Sequence, residues 1–415
     1  MSAAILSIGT ELTRGEIVNT NAAWLSEELT RLGLDVTAVE TIPDDPLAIR
    51  RVLLRLGADH DVVVSTGGLG PTTDDITSEC AANAMGVPLE RDPASLEAIR
   101  TRMERFGRTV AASNAKQADF PRGATVLPNA QGTAPGFVVT IGRARAFFMP
   151  GVPGEMKPMF ASHVAPALSG LSRGGIHQVR LRTFGLPEST ANDRLAGVEA
   201  AHGVIIGYRA HYPEIEVKVL ARRGSQEEAE RAARDGAEDV CARLGDVVYA
   251  EGDASLAETV GGMLRDRGLT IATAESCTGG LVAELLTDPA GASAWVRGAI
   301  VAYDNRVKMG CLGVPEATLA AHGAVSAEVA RAMAEGARRA LGADVALAIT
   351  GIAGPTGGTA EKPIGLVYFA VSSVAGTSDR RVVFPGARRQ IRAVAAWSGL
   401  AMVRRVLRDG HDGAV

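Results

Sequence analysis

Ala274-Glu275-Ser276-Cys277-Thr278-Gly279-Gly280 lies between an apolar, β-branched run at residues 269–273 and an apolar-periodic segment at residues 281–286. The pattern predicts a strand, a small-residue turn and a helix start, the joint from which α/β folds are built. A helix start leaves its first backbone N–H groups unpaired, which suits an anion such as a phosphate. Gly279 and Gly280 let a ligand approach the backbone closely. Ser276, Cys277 and Thr278 place a candidate nucleophile beside that cradle. The alternative is a plain helix cap, with Ser276 or Thr278 satisfying the N–H groups.

Downstream, residues 298–303 read as a strand, followed by Asp304-Asn305-Arg306-Val307-Lys308. A serine attacks only when a base takes its proton, and no histidine is well placed; His322, in an Ala-rich turn, reads as structural. Tyr303 and Lys308 are the nearest base-like groups, and a Ser–Lys pair with the lysine pKa lowered by burial is the natural alternative. Taken alone, Lys308 reads as a surface residue. Residues 345–349 form a buried strand ending in Thr350-Gly351-Ile352-Ala353-Gly354-Pro355-Thr356. The strand at 364–371 and a last helix opening with Arg388, Arg389 and Arg392 complete this half, and an arginine there suits a phosphate. The apolar stretch 394–406 offers a surface for a homodimer.

The first half alternates strand and helix: strands at 5–8, 34–41 and 61–65, a helix capped by Asn19-Thr20-Asn21 and running to residue 32, and another at 46–56. That order predicts a largely parallel sheet with ligands at the carboxyl ends of its strands. Thr66-Gly67-Gly68-Leu69-Gly70-Pro71-Thr72-Thr73-Asp74-Asp75 lies at that end. Its glycines and proline shape a loop with exposed N–H groups, and Asp74 and Asp75 suit a hard cation or, alternatively, the dipole of a helix first turn. Lys116 and Glu155 lie in further polar or glycine-rich turns, the latter just after Pro150-Gly151. The two halves share Thr-Gly and Gly-Pro-Thr at one spacing, which suggests one phosphate-bearing ligand in each. Between them, a boundary at 170–175 precedes a strand (179–184), a helix (188–200), a hairpin (204–210 and 214–221) and a helix (226–243). The pattern resembles small RNA-binding modules but lacks a basic Gly-x-x-Gly loop, so docking is the preferred role.

The sequence has 415 residues, enough for two or three domains. With 46% apolar and 22% charged residues and a net charge of −4, it lacks the basic patch that nucleic acid or an anionic membrane demands. Cys80, Cys241, Cys277 and Cys311 are scattered, without metal-ligand spacing, and fit a reducing cytoplasm. No apolar run reaches membrane-spanning length and no basic leader opens the chain, so neither export nor a membrane location is expected.

These motifs carry a resemblance over essentially the whole chain. Ile8-Gly9-Thr10-Glu11-Leu12, Gly15-Glu16-Ile17, the 66–77 loop and residues 150–156 resemble the MoaB/MogA-like domain of the CinA family of competence/damage-inducible proteins. Glu275 to Gly280, Tyr303-x4-Lys308 and Thr350 to Thr356 resemble its PncC-type nicotinamide mononucleotide deamidase domain. The resemblance implies two three-layer α/β domains with mainly parallel sheets, at 1–170 and 253–415, joined by a small α+β module at 171–252. It implies deamidation of nicotinamide mononucleotide by Ser276 as nucleophile, Lys308 as base and then acid, and Tyr303 as orienting group, with no cofactor. Glu275, Cys277, Thr278, Gly279, Gly280, Asn305, Thr350, Gly351, Gly354 and Arg388 would bind that substrate. For the first domain it implies ADP-ribose pyrophosphatase activity with a divalent metal such as Mg²⁺ on Asp74, Asp75 and Glu155, and Thr66, Gly67, Gly68, Gly70, Pro71, Thr72, Lys116 and Gly151 on the nucleotide. The alternatives are a molybdopterin-binding or adenylyl-transfer domain there, and a competence-associated scaffold for the whole chain.

Overall fold

The computed structural model describes residues 1–105, 107, 111–170 and 174–409, so residues 171–173 of the expected boundary lie outside the described residues. The chain divides into two units, Met1–His177 with Ala221–Arg231, and Gln178–Leu220 with Ala232–Val415.

In the first unit, strands β1 (Ser2–Ile8), β2 (Asp35–Ile42) and β3 (Val62–Thr66) alternate with helices Thr20–Arg31 and Pro46–Asp59. Asn19 and Asp45 cap these helices, each side chain accepting a backbone N–H, and Pro46 occupies the first turn, where its missing donor costs nothing. Two short strands, β4 (Leu89–Arg91) and β5 (Asp119–Pro121), form a separate antiparallel pair. β6 (Thr125–Leu127), β7 (Gly136–Ile141) and β8 (Ala144–Met149) complete a six-stranded sheet of order β2-β1-β3-β8-β7-β6. Its β2-β1-β3-β8 part is parallel and the β8-β7-β6 edge antiparallel. Alternate residues of β1 point to opposite faces. Ala3 and Ile5 join a core with Leu25, Leu29 and Met156, while Ala4 and Leu6 join one with Ile49, Leu53 and Cys80. Helices therefore cover both faces of the sheet.

In the second unit, β9 (Gly175–Phe184, which begins in the first), β10 (Ile205–His211), β11 (Glu214–Arg223) and β12 (Val248–Glu251) form a sheet of order β10-β11-β9-β12, with β10 and β11 an antiparallel hairpin. The helix expected over 188–200 is two, Glu188–Arg194 and Val198–His202, because Gly197 adopts a φ of 88° between them. The second three-layer domain follows. β13 (Ile271–Glu275), β14 (Val296–Val301), β15 (Val345–Gly351), β16 (Leu366–Ser373) and β17 (Gly376–Val383) lie in the order β14-β13-β15-β16-β17. The first three are parallel and the last two antiparallel, so both sheets are mixed, with parallel centres at the site-bearing strands. β14 starts two residues earlier than expected, and β7 and β17 had no counterpart in the sequence reading.

Val345, Leu347 and Ile349 face one core with the helices Leu256–Asp266 and Arg388–Asp409; Ala346 and Ala348 face the other with Ala327–Leu341. Of the apolar residues of 394–406, Ala395, Ala396, Leu400 and Val403 are buried in the chain's own core, while Val394, Ala401, Met402 and Val406 are partly buried. Among the described residues, no helix is long and apolar enough to cross a membrane.

Helix Ala327–Leu341 packs so closely on the end of helix Asn305–Leu312 that a Cβ at Gly336 would lie 1.9 Å from the Leu312 carbonyl oxygen. The contact is with backbone, which cannot swing aside. Gly336→Ala is therefore expected to destabilise the protein by about 2 kcal/mol despite alanine's better helix propensity, read as a lower urea midpoint.

Candidate functional site

The strand–turn–helix joint forms as expected, but its hydrogen bonds are arranged differently. Glu275, fully buried at the end of β13, turns its carboxylate back onto the following helix. It accepts the backbone N–H groups of Gly280, Val282 and Ala283 at 2.9, 3.1 and 2.9 Å. The helix start is thus neutralised from within, by neither Ser276 nor Thr278, and Glu275 is not available to a substrate. The N–H groups of Cys277, Thr278 and Gly279 have no oxygen partner among the described residues. The N–H groups without an oxygen partner are therefore those of the turn and not those of Val282 and Ala283 in the helix.

Ser276 follows β13 directly and is half-buried, with its N–H on the Ile349 carbonyl at 2.9 Å. Its hydroxyl makes no hydrogen bond among the described residues. Cys277 points into the core, where burial pushes its thiol up to about 12, so it is neither nucleophile nor substrate contact. Thr278 is also fully buried, and its hydroxyl lacks a partner.

Lys308, expected at the surface when taken alone, is 1% exposed. Its Nζ donates to the carbonyls of Ala302 and Tyr303 at 2.7 and 3.2 Å, and the Ala302 N–H bonds the Glu275 carbonyl at 2.7 Å. Lys308 is thereby held at the edge of the sheet from which Ser276 emerges. Burial lowers its pKa, opposed by the charges of Asp304 and Cys277.

The C-terminal helix closes the site. Arg388 donates to the Tyr303 hydroxyl at 3.1 Å and to the Gly354 carbonyl at 2.7 Å, bringing together three of the expected residues. One turn on, Arg392 donates to the Thr278 carbonyl at 2.7 Å, above Gly279, where a Cβ would approach its guanidinium to 3.3 Å. The i, i+4 spacing of these arginines was the available signal for Arg392. Tyr303 is 63% exposed, and Asn305, in the helix first turn, faces solvent. Thr350 differs from expectation: it is buried, with its hydroxyl on the Ala324 carbonyl at 2.7 Å. Gly351 is packed against Leu366 and Val367.

In the first unit, Thr66, Gly67, Gly68, Gly70, Pro71, Asp74, Asp75, Gly151 and Glu155 line a cleft of about 550 Å³. Gly67 has a φ of 102°, and a Cβ there would lie 2.0 Å from the Ile8 carbonyl oxygen, so only glycine brings the loop this close to β1. The N–H groups of Gly68, Leu69 and Gly70 are unpaired among the described residues and line a concavity at the end of β3. Asp74 and Asp75 are engaged within their own loop. Both approach the Thr72 hydroxyl at 2.5 Å, where its single proton serves one of them at a time; the contact holds Asp74 below the usual carboxylate range, and the Thr72 N–H donates to Asp75 at 2.8 Å. Lys116 donates to the Thr72 carbonyl outside the cleft. Glu155 accepts from Asn129 at 2.7 Å, in space left by Gly132. Among the described residues, no group of three His, Cys, Asp or Glu side chains is arranged to hold a metal, so the expected three-carboxylate cluster is not formed. Two polar residues not singled out for the ligand also line the cleft: Asn21 and Gln117 each have a buried amide oxygen without a donor.

Residues 253–407 match the CinA C-terminal domain, residues 4–170 the probable molybdopterin binding domain, and residues 178–250 the damage-inducible protein CinA KH domain. A CinA-like protein of Anaeromyxobacter dehalogenans (strain 2CP-C) is 46% identical over 415 residues, covering 98% of this chain and 100% of that protein. The chain belongs to the CinA family. A CinA-like protein of Geobacter sulfurreducens is 45% identical over 98% of this chain and 99% of its own length. Among solved structures, the competence/damage inducible protein CihA from Agrobacterium tumefaciens is 42% identical over 37% of this chain and 94% of that one, with a TM-score of 0.36. In this CinA-family chain, the KH-type module joins its two short helices through Leu195-Ala196-Gly197, without a Gly-x-x-Gly loop.

Glu275→Ala would leave three N–H groups without their acceptor in a buried turn. It is expected to cost about 3 kcal/mol, read as an earlier unfolding transition, whereas a substrate-binding role alone would leave the transition unmoved.

Proposed function

We propose that the chain is a bifunctional pyridine-nucleotide hydrolase whose C-terminal domain deamidates nicotinamide mononucleotide to nicotinic acid mononucleotide and ammonia. The observation that carries this reading is Lys308: a buried lysine with a lowered pKa, at the strand edge that presents an uncommitted serine hydroxyl. Neutral Lys308 takes the Ser276 proton as Oγ attacks the carboxamide carbon. The carbonyl oxygen becomes an oxyanion, received by the N–H groups of the Cys277–Gly279 turn, which have no oxygen partner among the described residues. Lys308 returns the proton to the nitrogen as the C–N bond breaks and ammonia leaves. Water then attacks the ester, giving its proton to Lys308, and Ser276 is regenerated with the carboxylic acid product. Arg388 and Arg392 order the rim on which ribose and phosphate rest.

For the N-terminal cleft the proposal is a nucleotide with a pyrophosphate, ADP-ribose, which the domain cleaves to AMP and ribose 5-phosphate. The concavity at Gly68 to Gly70 takes a phosphate, and Asn21 and Gln117 accept from ribose hydroxyls. The arrangement of the carboxylates does not fit the expected metal cluster, and no step is assigned to a metal. A second reading, molybdopterin as ligand, is favoured by the match of residues 4–170 to the probable molybdopterin binding domain.

Ser276→Ala and Lys308→Met should each abolish ammonia release from nicotinamide mononucleotide in folded protein; undiminished turnover in either variant removes that residue from its role. Because burial favours the neutral amine, Lys308 loses its proton at a lower pH than an ordinary lysine, whose value is 10.5. Deamidation should therefore rise with pH through a midpoint below 10.5, and Lys308→Arg should not restore that limb. Calorimetric titration of EDTA-treated protein separates the N-terminal ligands: Asn21→Ala and Gln117→Ala should each weaken ADP-ribose binding about five-fold. Tight binding of molybdopterin with none of ADP-ribose would transfer the cleft to the second reading.

A further inference from the structure

A cavity of about 490 Å³ within the second unit belongs to neither site. The C-terminal helix lines it with Val394, Ser398, Ala401 and Arg405, residues that recur every three or four positions and so share one stripe. Arg380 and Val382, alternate residues of one face of β17, form a second wall with Phe384 just beyond them. The third wall is the KH-type module, through Phe184 at the end of β9 and Tyr212 at the turn between β10 and β11.

The charges in this cavity do not cancel. Its two carboxylates are already engaged: Glu214 accepts from Arg182 at 2.6 Å and from the Tyr249 hydroxyl, and Asp246 is held by both terminal nitrogens of Arg408. Arg404 spends its guanidinium on the carbonyls of Asp246 and Val248, at 3.0 and 2.8 Å. Arg380 and Arg405 make no hydrogen bond or ion pair among the described residues. Arg380 is exposed on β17 and Arg405 half-buried on the helix, and partial burial together with the charge of Arg405 lowers the pKa of Arg380. In a chain of net charge −4, two unpartnered arginines facing a cavity call for an anion, and a guanidinium fork matches phosphate. Half-buried Phe184 and Phe384 and the 60%-exposed Tyr212 add flat apolar faces suited to a heterocyclic base. The volume falls within the range of small-ligand sites.

We propose that this cavity is a nucleotide-binding site, separate from both hydrolase sites, that takes a nucleoside monophosphate with its phosphate on Arg380 and Arg405 and its base against Phe184, Tyr212 and Phe384. The tip of the module is tied to the helix beside it, since the Tyr212 hydroxyl donates to the Gln390 carbonyl at 3.2 Å. Gln390 lies between Arg388 and Arg392, so an occupant touches the helix that closes the deamidase rim.

The test is photolabelling of the full-length chain with an azido derivative of AMP, the modified peptides being mapped by mass spectrometry. Labelling is expected on the peptides carrying Phe184, Tyr212 or Phe384, and excess AMP should protect them. The variant Arg380→Ala/Arg405→Ala, whose side chains make no hydrogen bond or ion pair among the described residues, should lose labelling there at least tenfold, and the corresponding double lysine variant should recover part of it. Labelling confined to other peptides, or undiminished in the alanine variant, overturns the proposal. Ribose 5-phosphate and inorganic phosphate serve as competitors without a base. Protection by either at the same concentration as AMP overturns the nucleotide assignment and leaves a simple phosphate site.

Discussion

A single buried carboxylate organises the C-terminal domain. Burying Glu275 without partners would cost several kcal/mol, and the three N–H groups it accepts are the ones a helix start cannot satisfy for itself. The two deficits cancel. That exchange fixes the angle at which the helix leaves β13, and with it the path of the Cys277–Gly279 turn and the direction in which Ser276 leaves the sheet. It also explains the buried thiol and hydroxyl of the same turn. Once the helix folds back onto Glu275, the side chains of Cys277 and Thr278 have only the interior to occupy, and Ser276 alone remains near the surface.

The two loops with the shared Thr-Gly and Gly-Pro-Thr residues show how hydrogen bonding separates similar sequences. In the first, Gly68 at a φ of 66° leaves its N–H unpaired along with those of Leu69 and Gly70. In the second, Ile352 occupies the equivalent position, giving its N–H to Leu366 and accepting from Gly365. That loop is sewn onto β16 at the point where the first stays open. The residues in common do not impose one backbone shape either: Gly67, at a φ of 102°, corresponds to Gly351, which has no positive φ, and Gly354, at 74°, corresponds to Gly70, which has none.

Elements read from long periodic patterns came out close to their expected limits, among them the capped helices of the first unit and the hairpin of the small module. Periodicity and capping are local, and local sequence carries them. Strands β7 and β17 form hairpins with the strands beside them in the chain, Ile141 opposite Ala144 and Gly376 opposite Ser373; the apolar, β-branched run of β7 carries a strand signal of its own, whereas the exposed β17 residues Asp379, Arg380 and Arg381 do not read as a strand by themselves. In the sites, the reactive residue types and their turns were legible, but the direction of side chains was not. Glu275, Thr350 and Glu155 have the right chemistry for ligands and spend it on the protein, on helix N–H groups, the Ala324 carbonyl and Asn129 respectively. Conversely, Lys308 looked like a surface residue until two carbonyls beyond β14 gave its charge a place inside.

The contact between Arg392 and the Thr278 carbonyl joins residues 114 positions apart, and that between Arg388 and Tyr303 spans 85. Closing loops of this length costs entropy before any contact repays it, so such pairs form late. The Cys277–Gly279 turn leans on Glu275 close by, but Ser276 is itself tied to Ile349 on β15, and the rim above it to the last long helix. A chain with that helix detached would keep Ser276 and Lys308 while losing Arg388 and Arg392 from beside them. The order in which the chain closes its loops therefore decides when this rim exists.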